Sequence, residues 1–367
     1  MFSFQNLYRA YRACRKNKTT TINAMKFEQN LLENLWDLSH QLQDKSYTIG
    51  ASICFLAHSP KLREIFAADF RDRVVHHLLI GEIEPFYEQK FIYDVYNNRK
   101  AKGIHQALKR TEKFIRATRE GYYLQLDIKG FFYHLNKDIL FEKLLYDIEQ
   151  SNLREHKRIL WLAHCIIFYD PTTNYLFQGD KRDLLNLPPH KSLFKIPKNR
   201  GLPIGNLTSQ FFANVYMNSF DHFVKRELKV KRYIRYVDDF VLFDRDRDRL
   251  FWCKKQIESY LARELKLTLR EDSRLKKVTQ GLDFLGYIIR PDYTLVRRRV
   301  VHNYKYKKAQ YLDAYEQQRG KMKLEEIKEF LSVQASFVAH CQHANSFNLY
   351  NKVGKINETN PFDYDRC

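Results

Sequence analysis

The acidic pair Asp238-Asp239 carries the clearest chemical information in this sequence. Apolar, β-branched and aromatic residues flank the pair over residues 231–237 and 240–243. This pattern predicts a β-hairpin with two carboxylates at its tip. Adjacent like charges repel, and a turn without Gly or Asn is unfavourable, so local structure alone does not account for the pair. Divalent cations between the carboxylates would account for it; an ordinary acidic turn is the structural alternative.

A third acid, Asp127, ends a buried strand predicted over residues 122–128. An acid on one strand and a pair on a neighbouring hairpin can converge on two divalent ions. Such a centre suits phosphoryl transfer, because one ion lowers the pKa of an attacking hydroxyl and the other stabilises the leaving pyrophosphate. Magnesium fits this donor set. Taken alone, Asp127 is more typical of a strand-end or cap residue.

The charge balance indicates a polyanionic partner. Lysine and arginine number 63 against 43 acids, giving a formal net charge of +20 over 367 residues. Such an excess points to nucleic acid, with an acidic membrane surface as the alternative. No apolar run reaches the length of a membrane span, and 24 Tyr and 27 Phe among basic residues fit stacking on bases. We therefore expect nucleic-acid binding and no membrane association.

Cysteine usage and the N-terminus bear on the compartment. The six cysteines are scattered and form no C-x-x-C pair, which disfavours a structural zinc site and a disulfide framework. The first residues lack signal-peptide architecture. We expect a reducing, cytoplasmic location.

The elements that must position the acids read as a mixture of helices and strands. In chain order we predict helices over residues 1 to about 45, a strand at 52–56, a turn within 60–65 leading into another strand, a helix from Asp72 to Glu84 ending before Pro85, and a helix from Gln106 to about Arg119. The strand at 122–128 is followed by a helix capped by Asn136, a helix around Trp161, and a largely irregular connection over 170–200. A turn at 201–210 leads into a helix, and then come the acidic hairpin, a helix over 257–265, a hairpin over 282–296 around Pro291-Asp292, and basic helices from Arg297 with a weakly ordered tail from about Asn357.

Four motifs resemble, in their order, the palm motifs of reverse transcriptases. They are Leu126-Asp127-Ile128-Lys129-Gly130-Phe131-Phe132, the Gly-x-x-x-Ser block at 205–209, Tyr236-Val237-Asp238-Asp239 and Phe284-Leu285-Gly286. Each is weak alone, but together they are highly specific, and the resemblance covers roughly residues 50–300. It implies an α+β right-hand polymerase fold with fingers, a palm built on an antiparallel, RRM-like sheet, and a helical thumb.

The same resemblance implies the division of the chain. Residues 1–120 would form an N-terminal extension and fingers. Residues 121–290 would form the palm, with part of the fingers inserted around 137–200, and residues 291–367 would form the thumb and C-terminal tail.

The second motif narrows the resemblance. Reverse transcriptases of group II introns and retrons mostly have Gln-Gly-x-x-x-Ser-Pro, whereas Ile204 replaces the Gln here and Gln210 replaces the Pro. This form is similar to the reverse transcriptases of diversity-generating retroelements, as are residues 70–77, 191–194 and 343–345. Three features depart from the diversity-generating retroelement pattern: Val237, Ile104, and the absence of a lysine before the Phe-Leu-Gly motif, where Ser273 or Arg274 stands. A general acid at this last position is therefore in doubt.

The resemblance also implies roles for single residues. Asp127, Asp238 and Asp239 would bind two Mg²⁺ ions, with the backbone carbonyl of Ile128 as a further ligand. Phe132 matches the steric gate that selects deoxynucleotides; its structural alternative is a core aromatic.

Other residues would contact the substrates. Lys61, Arg63 and Arg99 fall where fingers residues bind the triphosphate, since cations there neutralise phosphate charge; solvated surface charge is the alternative. Ile204 and Gly205 would lie at the incoming nucleotide. Template and primer contacts are expected from Ser209, Gln210, Tyr236, Phe284, Leu285 and Gly286.

The expected function is that of an RNA-directed DNA polymerase acting in a diversity-generating retroelement. It would copy a structured RNA into cDNA from a DNA or RNA primer, with dNTPs and a small oligomeric accessory protein. An aliphatic Ile204 cannot hydrogen-bond near the nucleotide, so errors at template adenines are expected. The alternatives are an antiviral-defence or retron-like reverse transcriptase using its own noncoding RNA, and a catalytically dead RNA-binding protein, against which the three acids argue.

Overall fold

The computed structural model describes residues 1–16, 21–58, 61–318 and 322–354. The expected tail from Asn357 lies outside the described residues. Two compact units make up the chain: unit 1 contains Met1–Lys100, Gln125–Val241 and Phe251–Ser273, and unit 2 contains Ala101–Leu124, Leu242–Leu250 and Arg274–Cys367. Helices and strands are mixed, which confirms the α+β class. None of the described helices combines the length and apolar character needed to cross a bilayer.

The described elements are as follows. The helices are α1 (Phe4–Arg15), α2 (Ile22–Gln29), α3 (Leu31–Gln43), α4 (Phe70–Lys90), α5 (Ile104–Ala117), α6 (Phe131–His134), α7 (Lys137–Glu149), α8 (His156–Phe168), α9 (Leu207–His222), α10 (Arg247–Glu264), α11 (Arg298–Gln317), α12 (Leu324–Gln342) and α13 (Phe347–Leu349). The strands are β1 (Ser52–Ala57), β2 (Arg63–Ala67), β3 (Tyr122–Asp127), β4 (Tyr175–Gln178), β5 (Arg232–Tyr236), β6 (Asp239–Asp244), β7 (Arg274–Lys277), β8 (Leu282–Phe284), β9 (Tyr287–Ile289) and β10 (Thr294–Val296).

Unit 1 contains a three-stranded sheet in the order β2-β1-β4. Strand β1 runs antiparallel to β2 and parallel to β4. Because β4 falls inside residues 170–200, the prediction of a largely irregular connection was wrong there. Local Pro and Gly punctuation could not reveal this strand, since its pairing partner lies more than 100 residues earlier in the chain.

Helix α4 continues through Pro85, so the prediction that it ends at Glu84 was wrong. A proline inside a helix removes one backbone hydrogen bond and costs about 3 kcal/mol. Ile83 and Tyr87, on either side of the proline, are both completely buried. Burial of these side chains offsets the cost and keeps the helix intact to Lys90.

The predicted cap of α7 and the predicted acidic hairpin both form. The Asn136 side chain accepts a hydrogen bond from the backbone N–H of Ile139, as an N-cap residue does. Strands β5 and β6 flank the turn Val237-Asp238 and lie in the order β5-β6-β3 in the unit 1 part of a second sheet.

The hairpin turn has unusual backbone geometry. Val237 has a φ of 59°, which is rare for a β-branched residue. Its backbone N–H donates to Asn97 Oδ1 at 2.9 Å, and its carbonyl accepts from Arg235 Nη1 at 2.9 Å. Asn97 also exchanges two hydrogen bonds of 2.9 Å with Asn214 on α9. Side chains from outside the turn therefore impose a conformation that the turn's own residues do not favour.

A buried ion pair anchors this arrangement. Arg235 and Asp221 are both completely buried, with Nε to Oδ1 at 2.8 Å and Nη2 to Oδ2 at 2.6 Å. The Tyr233 hydroxyl donates to the same carboxylate at 2.7 Å. A bidentate pair with its remaining groups hydrogen-bonded offsets the desolvation of both charges. We refer to Asn97, Asn214, Asp221 and Arg235 as the turn clamp.

Unit 2 contains a sheet in the order β10-β9-β8. The predicted hairpin around Pro291-Asp292 forms, but the stretch 282–289, predicted as its first strand, is itself a hairpin that turns at Leu285-Gly286. Both turn residues have positive φ, 52° and 93°, as in a type I′ turn. Strands β9 and β10 form a second antiparallel pair around Pro291-Asp292.

The stretch at residues 343–345 has a structural role within unit 2. The ring of His343 stacks on that of His105 in α5, with centroids 3.7 Å apart. Asn345 bonds Thr294 in both directions: its N–H donates to the Thr294 carbonyl at 2.7 Å, and its Oδ1 accepts from the Thr294 N–H at 2.9 Å. The end of α12 is thereby fastened to β10 and α5.

The turn clamp generates a stability prediction. Asp221→Ala leaves the Arg235 guanidinium buried without its counter-ion, so the free energy of unfolding should fall by about 3–5 kcal/mol. Urea denaturation followed by circular dichroism measures the change. Asp180→Ala is the matched control, because its partner Arg182 is 87% exposed and such pairs contribute about 0–1 kcal/mol. Equal losses in the two variants would contradict a special role for the clamp.

Candidate active site

The structure brings together the segments that carry Asp127 and Asp238. Asp127 ends β3, Asp238 lies in the hairpin turn, and Asp239 begins β6. The backbone N–H of Ile128 donates to the Asp238 carbonyl at 3.3 Å, which ties the two segments together. Two acids that are far apart in the sequence therefore occupy one site.

The electrostatics of this site disfavour two negative charges. Burial, and then the charge of Asp238, raise the pKa of Asp127 to about 6. Burial also raises the pKa of Asp238. Carboxylates with raised pKa values carry negative charge that their surroundings compensate poorly, an arrangement typical of functional sites. Such oxygen donors suit a hard divalent cation.

Asp239 is directed toward a side-chain amide. Its carboxylate oxygens accept from Gln125 Nε2 at 3.2 and 3.3 Å. Among residues 1–16, 21–58, 61–318 and 322–354, no three His, Cys, Asp or Glu side chains form a complete metal cage. Magnesium usually takes only one or two protein carboxylates and completes its shell with phosphate oxygens and water. The donor set around Asp127 and Asp238 therefore fits Mg²⁺ that binds together with a phosphate ligand.

Sequence reasoning missed Arg270, which contacts the site directly. The Arg270 N–H donates to the Asp127 carbonyl at 2.8 Å, and its Nη1 lies 3.3 Å from Asp127 Oδ2. A second ion pair, with Asp272 at 2.9 Å, steadies the guanidinium. The Ile128–Leu269 bridge and a hydrogen bond of 2.9 Å from the Lys129 N–H to the Thr268 carbonyl bring Arg270 here. No local pattern indicates this pairing. In unit 2, Arg274 lies 3.9 Å from Asp283 instead.

Lys61 and Arg63 lie within electrostatic range of the carboxylates. Both side chains are exposed. The charges of Arg63 and Lys61 both act to lower the pKa of Asp238, against the larger effect of burial. The neighbouring Glu64 is buried and accepts from Ser192 Oγ at 2.7 Å and the Leu193 N–H at 2.8 Å, which fixes the strand that carries Arg63.

Arg99 does not fit its expected role at the triphosphate. Its side chain is 5% exposed and pairs with Glu88, with Nη2 to Oε2 at 2.9 Å. Its Nη1 also donates to the Ile92 carbonyl at 2.6 Å. These bonds commit the guanidinium to the protein interior. The alternative of solvated surface charge does not fit Arg99 either, because pairing with Glu88 buries its side chain.

The block at residues 204–206 is fastened to β2. The Phe66 N–H donates to the Ile204 carbonyl at 3.0 Å, and Asn206 Oδ1 accepts from the Ala68 N–H at 3.0 Å. Gly205 has a φ of 122°, and an added Cβ would lie 2.9 Å from Ile65 Cγ2. Both the backbone conformation and the close approach require glycine there.

The remaining predicted contacts differ in exposure. Ser209 is buried in the first turn of α9, whereas Gln210 is exposed, and Ile204, Tyr236 and Phe132 are partly exposed. Phe132 follows the left-handed Gly130, and its carbonyl accepts from the Leu202 N–H at 2.8 Å. In unit 2, Phe284 packs in the core, so only the turn Leu285-Gly286 of that motif is partly exposed.

Comparisons with known proteins place this geometry in context. The chain is 24% identical over 275 residues to the group II intron-encoded protein LtrA of Lactococcus lactis subsp. cremoris, over 64% of this chain and 45% of that protein. The chain thus spans about half the length of the curated relatives it matches. Two solved telomerase structures are similar at 12% identity. One, from Candida albicans with a fragment of telomeric RNA, has a TM-score of 0.45 and matches 83% of this chain and 55% of its own. The other, apo telomerase from Candida tropicalis, has a TM-score of 0.47 and matches 83% and 59%.

The family comparison covers the site itself. Residues 57–289 match the model of the family described as reverse transcriptase (RNA-dependent DNA polymerase). That range is more than half of the chain and includes Asp127, Asp238 and Asp239. The chain therefore belongs to the reverse transcriptase family.

Proposed function

We propose that this chain is an RNA-directed DNA polymerase that extends a primer on an RNA template with dNTPs. The observation that carries the proposal is the convergence of Asp127 and Asp238, two carboxylates with raised pKa values, inside the region that matches the family. The net charge of +20 supports a nucleic-acid substrate.

The acids supply the metal-binding part of the site. Asp127 and Asp238, with Asp239 and the Ile128 carbonyl, would hold two Mg²⁺ ions. Bound Mg²⁺ supplies activation of the primer 3′-hydroxyl and stabilisation of the pyrophosphate leaving group. Binding the cations would also relieve the repulsion between the two neighbouring carboxylates.

Neighbouring side chains bind and select the nucleotide. Lys61 and Arg63, exposed beside the carboxylates, neutralise the triphosphate. Phe132, after the left-handed Gly130, excludes a ribose 2′-hydroxyl. Ile204 and Gly205, fastened to β2, line the site of the incoming base. Template and primer contacts are assigned to Ser209, Gln210, Tyr236 and the turn Leu285-Gly286.

We further propose that the polymerase serves a diversity-generating retroelement. The replacement of Gln by Ile204 and of Pro by Gln210 in the Gly-x-x-x-Ser motif supports this role. The polymerase would copy a structured RNA with errors at template adenines, together with a small oligomeric accessory protein.

The catalytic assignment is tested with Asp238→Asn. Removing one metal-binding charge should lower Mg²⁺-dependent primer extension at least about 1,000-fold, because the variant cannot compensate both cations. RNA binding, measured by fluorescence anisotropy, should change less than about threefold, since it rests on basic groups elsewhere. Asp37→Asn, at an exposed acid on α3, is the control. Extension by Asp238→Asn at the wild-type rate would refute the assignment.

Metal binding is tested without catalysis through Asp127→Asn. In EDTA this variant should melt at a higher temperature than the wild type, because it removes a partly buried charge beside Asp238. Added Mg²⁺ should raise the melting temperature of the wild type and leave that of the variant nearly unchanged. Differential scanning fluorimetry measures both effects. Equal stabilisation of the two proteins by Mg²⁺ would place the metal elsewhere.

The proposed error spectrum is tested with Ile204→Gln. A Gln side chain can hydrogen-bond near the incoming sugar and base, so adenine misincorporation should fall about tenfold, which corresponds to one hydrogen bond of about 1.4 kcal/mol. Sequencing of cDNA made on a defined RNA gives the error rate at each base. Ile22→Gln makes the same change at an exposed position on α2 and should leave the spectrum unaltered. An unchanged adenine error rate in Ile204→Gln would contradict the proposal.

A further inference from the structure

Gln125 is the polar side chain that faces Asp239 in the candidate active site. The two residues lie on β3 and β6, which are neighbouring strands of one sheet. Gln125 stands two positions before Asp127, and side chains alternate along a strand, so these two share one face of β3. Both are partly exposed, whereas Leu126 between them is completely buried. The Gln125 amide therefore belongs to the same polar face of the strand as the first acid.

The amide fixes where the Asp239 carboxylate points. Gln125 Nε2 donates to Oδ1 at 3.2 Å and to Oδ2 at 3.3 Å. Because the two distances are nearly equal, the amide nitrogen lies close to the axis of the carboxylate and restrains both oxygens together. An ionised carboxylate has about four lone-pair sites on its two oxygens, so sharing one donor leaves further sites open. Asp239 is thus oriented and still able to bind a cation.

The partners of Asp239 and Asp127 differ in charge. Asp127 pairs with the Arg270 guanidinium, whose Nη1 lies 3.3 Å from Oδ2. Gln125 is neutral, and a hydrogen bond from a neutral donor is roughly half as strong as one from a charged donor. Gln125 can therefore hold the Asp239 carboxylate without adding a positive charge that would oppose an arriving metal ion. A lysine or arginine at position 125 would not combine these two properties.

We propose that Gln125 is a positioning residue for divalent-cation binding, because its amide orients Asp239 toward the cation that Asp127 and Asp238 also bind. The inference rests on the proposed function for the use of that cation in the reaction, whereas cation binding itself is measured without any reaction. Groups that orient metal ligands by hydrogen bonds typically change metal affinity by about 10–100-fold when they are removed. Gln125 does not need to contact the primer, the template or the nucleotide.

Manganese binding to the full chain, measured by electron paramagnetic resonance, tests the proposal. Mn²⁺ accepts the same oxygen ligands as Mg²⁺, and its aqueous signal reports the unbound fraction. Gln125→Met removes the donor and keeps the side-chain length, so Mn²⁺ affinity should fall about 10–100-fold. Gln89→Met, the same change at an exposed glutamine on α4, should leave the affinity unchanged. Circular dichroism establishes that each variant is folded, and Gln125→Leu carries the test if Gln125→Met does not fold.

A double-mutant cycle establishes whether Gln125 acts through Asp239. If it does, Gln125→Met should change Mn²⁺ affinity by less than about twofold in an Asp239→Asn background, because the carboxylate that it orients is already gone. Primer extension gives a second readout. In Gln125→Met the half-saturating Mg²⁺ concentration should rise about 10–100-fold, while the KM for dNTP at saturating Mg²⁺ stays within about twofold.

Three results would overturn the proposal. They are wild-type Mn²⁺ affinity in Gln125→Met, a loss of affinity that persists undiminished in the Asp239→Asn background, and a raised KM for dNTP with an unchanged Mg²⁺ requirement. The last would mean that Gln125 contacts the nucleotide directly. Mn²⁺ binding that depends on Gln125 and Asp239 in a wild-type chain that extends no primer would count against the polymerase function alone, and the positioning role would stand.

Discussion

The site depends on a buried ion pair placed behind a turn that does not favour its own geometry. Two adjacent acids follow a β-branched residue with positive φ, and the turn itself contains neither Gly nor Asn. Arg235 and Asp221 provide the support, with Asn97 and Asn214 completing the turn clamp. Since these residues come from β5, α9 and the segment before α5, the turn adopts its shape only when all three are in place. Polar groups in this core thus specify conformation as well as contribute stability.

Helix α9 joins the two halves of the proposed chemistry within unit 1. Just before its first turn, Ile204 and Asn206 bond the strand that begins at Arg63. Further along, Asn214 and Asp221 hold the turn that carries the acids. One helix therefore sets the distance between strand β2, which carries Arg63, and the turn that carries Asp238. Sites built on regular elements in this way are positioned more accurately than sites on loops.

The sequence predicts what local chemistry controls. The acidic hairpin, the strand ending at Asp127 and the cap at Asn136 all follow from spacing and residue type. The pairing of β4, the continuation of α4 and the burial of Arg99 do not, because each is decided by a partner distant in the chain. Arg270 was overlooked for the same reason: its place beside Asp127 comes from the backbone pairing of residues 268–270 with residues 127–129, which are far apart in the chain. Local patterns reveal which groups are reactive, and tertiary pairing decides which of them meet.

The contact between Arg270 and Asp127 has a consequence for the proposed reaction. The Arg270 guanidinium already pairs with the Asp127 carboxylate, so binding of a metal ion there would exchange one cation for another. The net charge around Asp127 would then change less than it would at a bare carboxylate. The ion pair with Asp272 would keep Arg270 close by during the exchange. The displaced arginine would therefore remain beside the site as a second positive charge.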